Sequence, residues 1–592
     1  MTLAITQLKT QQLQPNLDPI TELVKKSKTD RPSVNDKSSH LLTWQPRVAS
    51  ALSMLCPSKR VPYNPRFMLL KANESELFFN LLKQSVKLNL TTSTLGYSYH
   101  CNETKITLTK AKTQQDNFAT LDSCLAATTV DSEKLFGCVR QPENSPIKLQ
   151  AGLVHYTNGG ILILGLRSLL SQPTVWTKLK QMIIKQEFEW FSADESHPLP
   201  LAIPPMPLDL RIILVGDRLS LAELQEFEPE FYTTAIYAEF ENELHIKSPE
   251  QIEQWFAYLQ FIADKQQLPN IDKSAFARLL KHATRYTGDQ YYLPLAVDWV
   301  QSLLVEASYH VQDNTIDDIC LTKAIEQKSW REDYLIERFH EEIFSNQIMI
   351  NTKDQVIGQI NGLSVIEYPG YPKVIGEPSR LSCLVHFGDG ELIDIERKTD
   401  LAGNIHSKGM MIMQAFIMSE FAINHQLPFT TSLVFEQSYS EIDGDSASLA
   451  GLCALISALS EQPIDQQLAV TGSVDQFGHV QSIGGVNEKI EGFFAVCKHQ
   501  GLTGQQGVII PASNQRHLSL HDDVIKAIKQ EQFSIWAVEH IAEALYLLTG
   551  IPYKDENSIS LYKLIHARMQ SMLLQDKKQD SWLSKWQKYC KK

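Results

Sequence analysis

FEQSYSEIDGDSASLAGLCALISALSEQP (Phe435–Pro463) and, two residues later, QQLAVTGSVDQFGHVQSIGGVNEKIEGFFAVCKHQG (Gln466–Gly501) are the segments on which the reading of this chain turns. The first contains an apolar run, Leu449 to Leu459, continuous enough for a buried helix. Ser446 stands just ahead of it in the turn Asp443-Gly444-Asp445-Ser446-Ala447-Ser448. The second holds another apolar helical pattern, which opens after Gly484-Gly485 and places Lys489 at its start, at a mouth rather than on a solvated face.

Serine and lysine so placed can act as nucleophile and base. A serine hydroxyl attacks only when an adjacent base takes its proton. Lysine serves as that base only where burial or a nearby positive charge keeps its amine partly neutral near pH 7. Its ordinary pKa of about 10.4 must fall by about three pH units, on the order of 4 kcal/mol. A helix beginning after Ser446 offers backbone N–H groups to a developing oxyanion. Gly444 permits an unusual backbone angle and lets a substrate chain approach closely. The residues alone also fit plainer roles, Ser446 as a helix cap and Lys489 as a solvated charge.

The segment resembles the peptidase domain of Lon-type serine proteases, specifically the B-like subtype, whose nucleophile motif reads E-G-D-S-A-S. Asp443 replaces the glutamate, and Gly444 through Ser448 match. The family's G-G-x-x-x-K appears as Gly484-Gly485-Val486-Asn487-Glu488-Lys489, with the lysine 43 residues after the serine, the family's spacing. Thr471 in A-V-T-G-S-V falls where these proteins place a threonine that orients the lysine. GVIIPASNQRHL (Gly507–Leu518) resembles their I-I-P-x-x-N segment, and the likeness covers roughly residues 355–550. It implies acyl transfer by Ser446 with Lys489 as general base, supported by Thr471, Gly444, Asp445, Gly484 and Gly485. Lys408 in H-S-K-G is a rival base, weakened because that segment resembles a non-catalytic helix start of the domain.

Further out, RFMLL (Arg66–Leu70), GGILIL (Gly159–Leu164) and RIILVG (Arg211–Gly216) are short apolar runs suited to strands buried on both faces, with a helix expected over 74–87. LFGCV (Leu135–Val139), AGLVHYTNGGILIL (Ala151–Leu164) and RIILVGDR (Arg211–Arg218) resemble the AAA+ module of B-like Lon proteins. The catalytic parts depart from it. Gly165-Leu166 stands where the family has Asp-Glu, no G-x-x-x-x-G-K-[ST] occurs, and the phosphate-loop position reads KANESELFF (Lys71–Phe79), with Glu74 and Glu76 facing the phosphate place. Asp217 replaces the sensor asparagine, and no arginine lies between Arg218 and Arg278. Phosphoryl transfer depends on those groups, so the module is expected to be a pseudo-ATPase that assembles the ring and gates substrate. No cofactor is therefore expected, although ATP is typical of the family.

The expected architecture is multidomain α/β and α+β: a flexible arm (1–40), a degenerate AAA+ α/β domain (41–245), a helical lid (246–348), a Lon proteolytic domain (349–555) with a long helix over 407–424, and a helical Lys-rich tail (556–592). Among 592 residues, the net charge of −13 argues against a general nucleic-acid surface. The odd set of nine cysteines contains no C-x-x-C pair and reads as free thiols. The N-terminus lacks a signal-peptide pattern, and the most apolar stretch, Gly159–Leu170, is too short to span a bilayer and is broken by Arg167, which suggests a cytoplasmic protein. Expected partners are protein or peptide substrates and further copies of the chain, a hexamer by resemblance. Alternatives are a catalytically silent Lon-fold scaffold and an unrelated hydrolase. A hydrolase elbow would need a second glycine after Ser446, and H-E-x-x-H is absent because Phe344 follows His340-Glu341-Glu342-Ile343. His155, His406 and His425 read as capping, packed or solvated residues rather than metal ligands.

Overall fold

The computed structural model describes residues 5–18, 20, 41–56, 65–90, 96–101, 105–113, 116–140, 147–192, 196, 198–388, 390–421, 429–438 and 442–572. Its first strand, β1 (Thr6–Gln7), belongs to the C-terminal sheet. The front half is built on β2 (Phe67–Lys71), α1 (Glu76–Asn89), β3 (Cys124–Ala127), β4 (Ile161–Gly165), β5 (Arg211–Gly216), α2 (Arg218–Phe227) and β6 (Ile236–Glu239). The strands form a parallel sheet in the order β6-β2-β5-β4-β3. Every residue of β4 is buried, and in β5 only Arg211 is not, because helices cover both faces. The first helix starts at Glu76 rather than 74, because Ser75 Oγ accepts the Phe78 amide at 3.3 Å and caps it.

Five helices follow: α3 (Pro249–Lys265), α4 (Phe276–Thr287), α5 (Val297–Ser308), α6 (Asp318–Glu332) and α7 (Tyr334–Phe344). Trp255, Tyr258 and Leu304 share one apolar core with Met68, Leu70 and Phe78, so this bundle is fused to one face of the parallel sheet. Its buried polar tips are satisfied, with Trp255 Nε1 donating to Pro294 O at 2.8 Å and Tyr258 OH to Leu295 O at 2.7 Å. The last helix departs from the expected lid: Ile343 and Phe339 of α7 pack into the C-terminal core instead.

The C-terminal unit comprises β7 (Gln359–Glu367), β8 (Val374–Phe387), β9 (Leu392–Asp394), α8 (Asn404–Glu420), β10 (Phe429–Glu436), α9 (Ser448–Ser460), β11 (Leu468–Val470), α10 (Val486–Gln500), β12 (Gly507–Pro511), β13 (Ser534–Val538) and α11 (Ile541–Thr549). Its mixed sheet runs β1-β13-β12-β11-β7-β8-β10-β9. One face carries α8, α9 and α11 in a core with Leu433, Val470 and Ile509; the other carries α10 in a core with Ala469, Val508 and Ile510. Thus α9 and α10 lie on opposite faces, and their N-terminal ends meet where β11 stops. The helix expected over 407–424 starts at Asn404, because the Asp443 carboxylate accepts the Ile405 amide at 3.0 Å; residues 422–424 lie outside the described set.

Both chain ends correct the sequence reading. Residues 5–13 are not a free arm: β1 pairs antiparallel with β13, and Leu8 and Leu13 are buried in the α10 core. Two leucines in a polar stretch give no local periodicity, and their backbone partners, Ile535 and Leu520, lie over 500 residues away. Residues 561–572 are helical, but Leu561, Ile565 and Met569 insert into the α9 core rather than standing off as a tail. Residues 21–40 and 573–592 lie outside the described set. Leu13→Ala should destabilise the C-terminal unit by about 2–5 kcal/mol, measured in denaturant melts monitored at Trp536; an unchanged midpoint would contradict the docked N-terminal segment.

Candidate active site where two helices meet

Ser446 sits one turn ahead of α9, and Lys489 lies in the first turn of α10. Lys489 Nζ is 2.9 Å from Ser446 Oγ and 3.3 Å from Thr471 Oγ1. The Thr471 hydroxyl donates to Ser446 O at 3.3 Å, and Gly472 N donates to the same carbonyl at 2.8 Å. The threonine therefore ties the lysine tip to the serine backbone. Lys489 is not at a mouth. Only 2% of its surface is exposed, and burial lowers its pKa from 10.5 to about 8, with the Asp445 carboxylate pulling the other way.

The serine turn is held from the next segment. Ser473 Oγ donates to Asp445 Oδ2 at 2.8 Å, and Val474 N donates to Ser448 Oγ at 3.1 Å. Gly444 adopts φ +149°, a conformation other residues rarely take, and open space lies where a Cβ would be. Gly485 caps α10 in the left-handed region at φ +64°, and a Cβ there would meet Val365 Cγ1 at 2.7 Å. Gly484 is exposed, with nothing within 4 Å of a Cβ position, so the structure gives it no steric role.

Two glycines the sequence reading did not single out set the depth of the site. A Cβ on Gly376 of β8 would lie 1.9 Å from Glu488 O, and one on Gly492 would lie 2.4 Å from Gly376 O. Strand and helix backbones touch there, which fixes α10 against the sheet. A glycine mid-strand facing a glycine in the next amphipathic helix is the signal that would have found them.

The remaining candidates separate from this pair. Lys408 is exposed on α8. His406 is buried, its Nε2 3.2 Å from Asp394 Oδ2, and His155 stacks on Trp190 with its pKa pushed down to about 3 by burial. His425 lies outside the described residues. All eight described cysteines are free.

The C-terminal strand ends of a parallel sheet are where such folds seat ligands. Here Ala72 N donates to Gly216 O at 3.0 Å, and Glu74 Oε1 accepts Arg167 N at 3.1 Å. A Cβ on Gly165 would lie 2.6 Å from Glu74 Oε2. Arg167 pairs with Asp217 at 2.5 Å, while Asp217 also caps α2 by accepting Ser220 N at 2.8 Å. Glu76 is exposed. A carboxylate thus fills the cradle that a phosphate would need, and these residues do not fit a magnesium nucleotide.

Comparison with known proteins agrees with this division. Residues 125–241 match the LonB-like AAA domain, 270–331 the archaeal LonB AAA+ ATPase LID domain, and 437–549 the Lon protease (S16) C-terminal proteolytic domain. A Lon protease homolog of Escherichia coli strain K12 is 46% identical over 588 residues, covering 99% of both chains. The chain belongs to the Lon protease family. A Lon protease homolog of Haemophilus influenzae is 45% identical over 467 residues, 78% of each chain. The archaeal Lon protease of Pyrococcus abyssi is 24% identical over 413 residues, 67% of this chain and 38% of that protein. The Ser446–Lys489 pair therefore lies inside the stretch matching the Lon-type proteolytic domain, and strands β4, β5 and β6 of the parallel sheet lie inside the stretch matching the LonB-like AAA domain. Among the described residues, no helix is long and apolar enough to cross a membrane.

The buried amine has a thermodynamic signature. Between pH 8 and 10.5 the unfolded chain binds a proton at Lys489 that the folded chain has released, so stability rises with pH through that window. Lys489→Met carries no charge and should melt above wild type at pH 7. Its advantage should shrink by on the order of 3 kcal/mol as pH rises through the window. A constant difference would contradict the depressed amine.

Proposed function

We propose that this Lon family member is a serine peptidase that cleaves peptide bonds in unfolded proteins or peptides through Ser446 and Lys489, without hydrolysing ATP. The observation that carries the proposal is the buried Lys489 amine 2.9 Å from Ser446 Oγ, its pKa near 8. At that value a useful fraction is neutral at physiological pH, which a general base requires. The neutral amine takes the Ser446 proton as Oγ bonds to the peptide carbonyl carbon. Backbone N–H groups of the Gly444–Ser446 turn are the candidates for holding the oxyanion. The Lys489 ammonium then gives its proton to the departing amine, and water repeats the cycle on the acyl-serine. Thr471 Oγ1, 3.3 Å from Nζ, keeps the amine aimed throughout.

The loss of ATP hydrolysis is supported by the filled cradle of Glu74, Arg167 and Asp217 and by the missing P-loop lysine. On this reading the LonB-like half shapes and gates a ring of identical subunits, and casein or a fluorogenic peptide should be cleaved equally with and without magnesium ATP. Ser446→Ala and Lys489→Met should each lose at least a hundredfold in kcat/KM relative to wild type; equal cleavage by all three proteins would eliminate the pair, and no cleavage by the folded wild type would leave a silent scaffold. Magnesium-dependent ATP turnover by the purified protein would overturn the second claim.

The cleavage rate should climb with pH through about 8, as Lys489 loses its proton. The Asp445 carboxylate favours the ammonium form, so Asp445→Asn should move that limb to lower pH. A limb that stays put would remove Asp445 from the electrostatics of the base.

A further inference from the structure

The catalytic helix α10 is gripped from outside its own domain. Arg285, near the end of lid helix α4, reaches across with both terminal nitrogens. Nη1 donates to Glu491 Oε1 at 2.7 Å and Nη2 to Glu491 Oε2 at 2.8 Å, a two-pronged pair, and Nη2 also donates to Glu488 Oε1 at 2.7 Å. Nη1 further donates to Ser519 O at 3.1 Å. All three side chains are at most one-quarter exposed. Burial alone would lift the Glu491 carboxyl, but the guanidinium beside it holds it below its usual value.

The helical spacing gives this contact its meaning. Glu488 and Glu491 are three residues apart and share one face of α10. Lys489 follows Glu488 directly, so its side chain leaves the helix about 100° further round, toward Ser446. The lid arginine therefore fixes the rotation of the turn that carries the amine. On the sheet side, the backbone of Gly376 touches Glu488 and Gly492. Between these two holds the turn cannot roll or slide. Asn487, beside Glu488, is drawn into the same joint: Ser519 N donates to its Oδ1 at 2.8 Å, while Ser519 Oγ donates to lid carbonyl Lys281 O at 3.1 Å.

We propose that Arg285 is a positioning residue for Lys489: through Glu488 and Glu491 it makes the placement of the lid set the aim of the base on Ser446. The proposal rests on the serine–lysine reading and deepens it by giving the lid a route to the peptidase chemistry. An arginine fork is suited to this, because its planar pair of donors fixes orientation as well as distance, which a lysine ammonium does not. Displacement of a reacting group by about 1 Å costs on the order of a hundredfold in rate, so a small roll of α10 is enough to silence the pair. Arg285 itself touches neither Ser446 nor Lys489.

The test uses the full-length chain with a fluorogenic peptide and, separately, a fluorophosphonate probe that labels an activated serine. Arg285→Ala should lower kcat at least tenfold with KM within twofold and slow labelling in proportion, with peptide-binding surfaces untouched. Arg285→Lys keeps the charge but loses the fork and should fall between, so it decides the matter even if the alanine variant does not fold. Glu488→Gln combined with Glu491→Gln should reproduce the loss, and adding Arg285→Ala to that pair should cause little further loss. Wild-type activity with unchanged kcat in Arg285→Lys and in the glutamine pair would overturn the role of Arg285 and leave the serine–lysine reading standing. A wild type that neither cleaves nor labels, under conditions where its fold is intact, would overturn both.

Discussion

An amine driven into an apolar interior loses its hydration, and it stays there only if the fold holds it and something useful comes of its readiness to shed a proton. Lys489 is that amine, and much of the C-terminal unit is organised around where its nitrogen ends up. The helix that follows Ser446 and the helix that carries Lys489 lie on opposite faces of one sheet, so neither can supply the other's partner by local geometry. They meet only because β11 is short and Thr471, the first residue beyond it, reaches both the amine and the serine carbonyl. The close backbone approach at Gly376 and Gly492 sets how deep α10 sits, and the turn at Gly444 sets how far the serine projects.

The front half has a core that does not depend on what its strand ends hold. A parallel sheet buried on both faces is stabilised by its leucines and isoleucines whether or not a nucleotide binds, so phosphate-binding groups can be exchanged without loss of the scaffold. At the strand ends stand Glu74 against Gly165 and the Arg167–Asp217 pair. The bundle that follows shares its core with this sheet and presents Arg285, Lys281 and Arg278 to acidic groups of the proteolytic domain.

The proteolytic domain was legible because two short motifs at a fixed separation name Ser446 and Lys489, which the fold brings to 2.9 Å, and apolar runs such as Leu449–Leu459 and Ile161–Leu164 can only be interior. The parallel sheet was legible for the same reason. The start of α8 was misplaced because its cap comes from elsewhere: the Ile405 amide donates to Asp443, which lies 38 residues later in the chain. Leu8 and Leu13, the apolar stripe of residues 561–569, and the allegiance of α7 were invisible because their partners are distant in sequence and their own surroundings are polar. Lys489 looked peripheral because helix starts usually are; only the tertiary fold shows β8 lying over it.

The pairing of Thr6 with Ala537 and of Gln7 with Trp536 has an implication for how the molecule is made. The first few residues leave the ribosome long before the strand they complete exists. The AAA-like and lid portions can condense during synthesis, since their core draws on residues between 20 and 324. β1 must wait until β13, more than 500 residues later, has emerged. Until β13 forms, β1 has no strand to pair with, and β13 without β1 leaves an unpaired edge open to other chains.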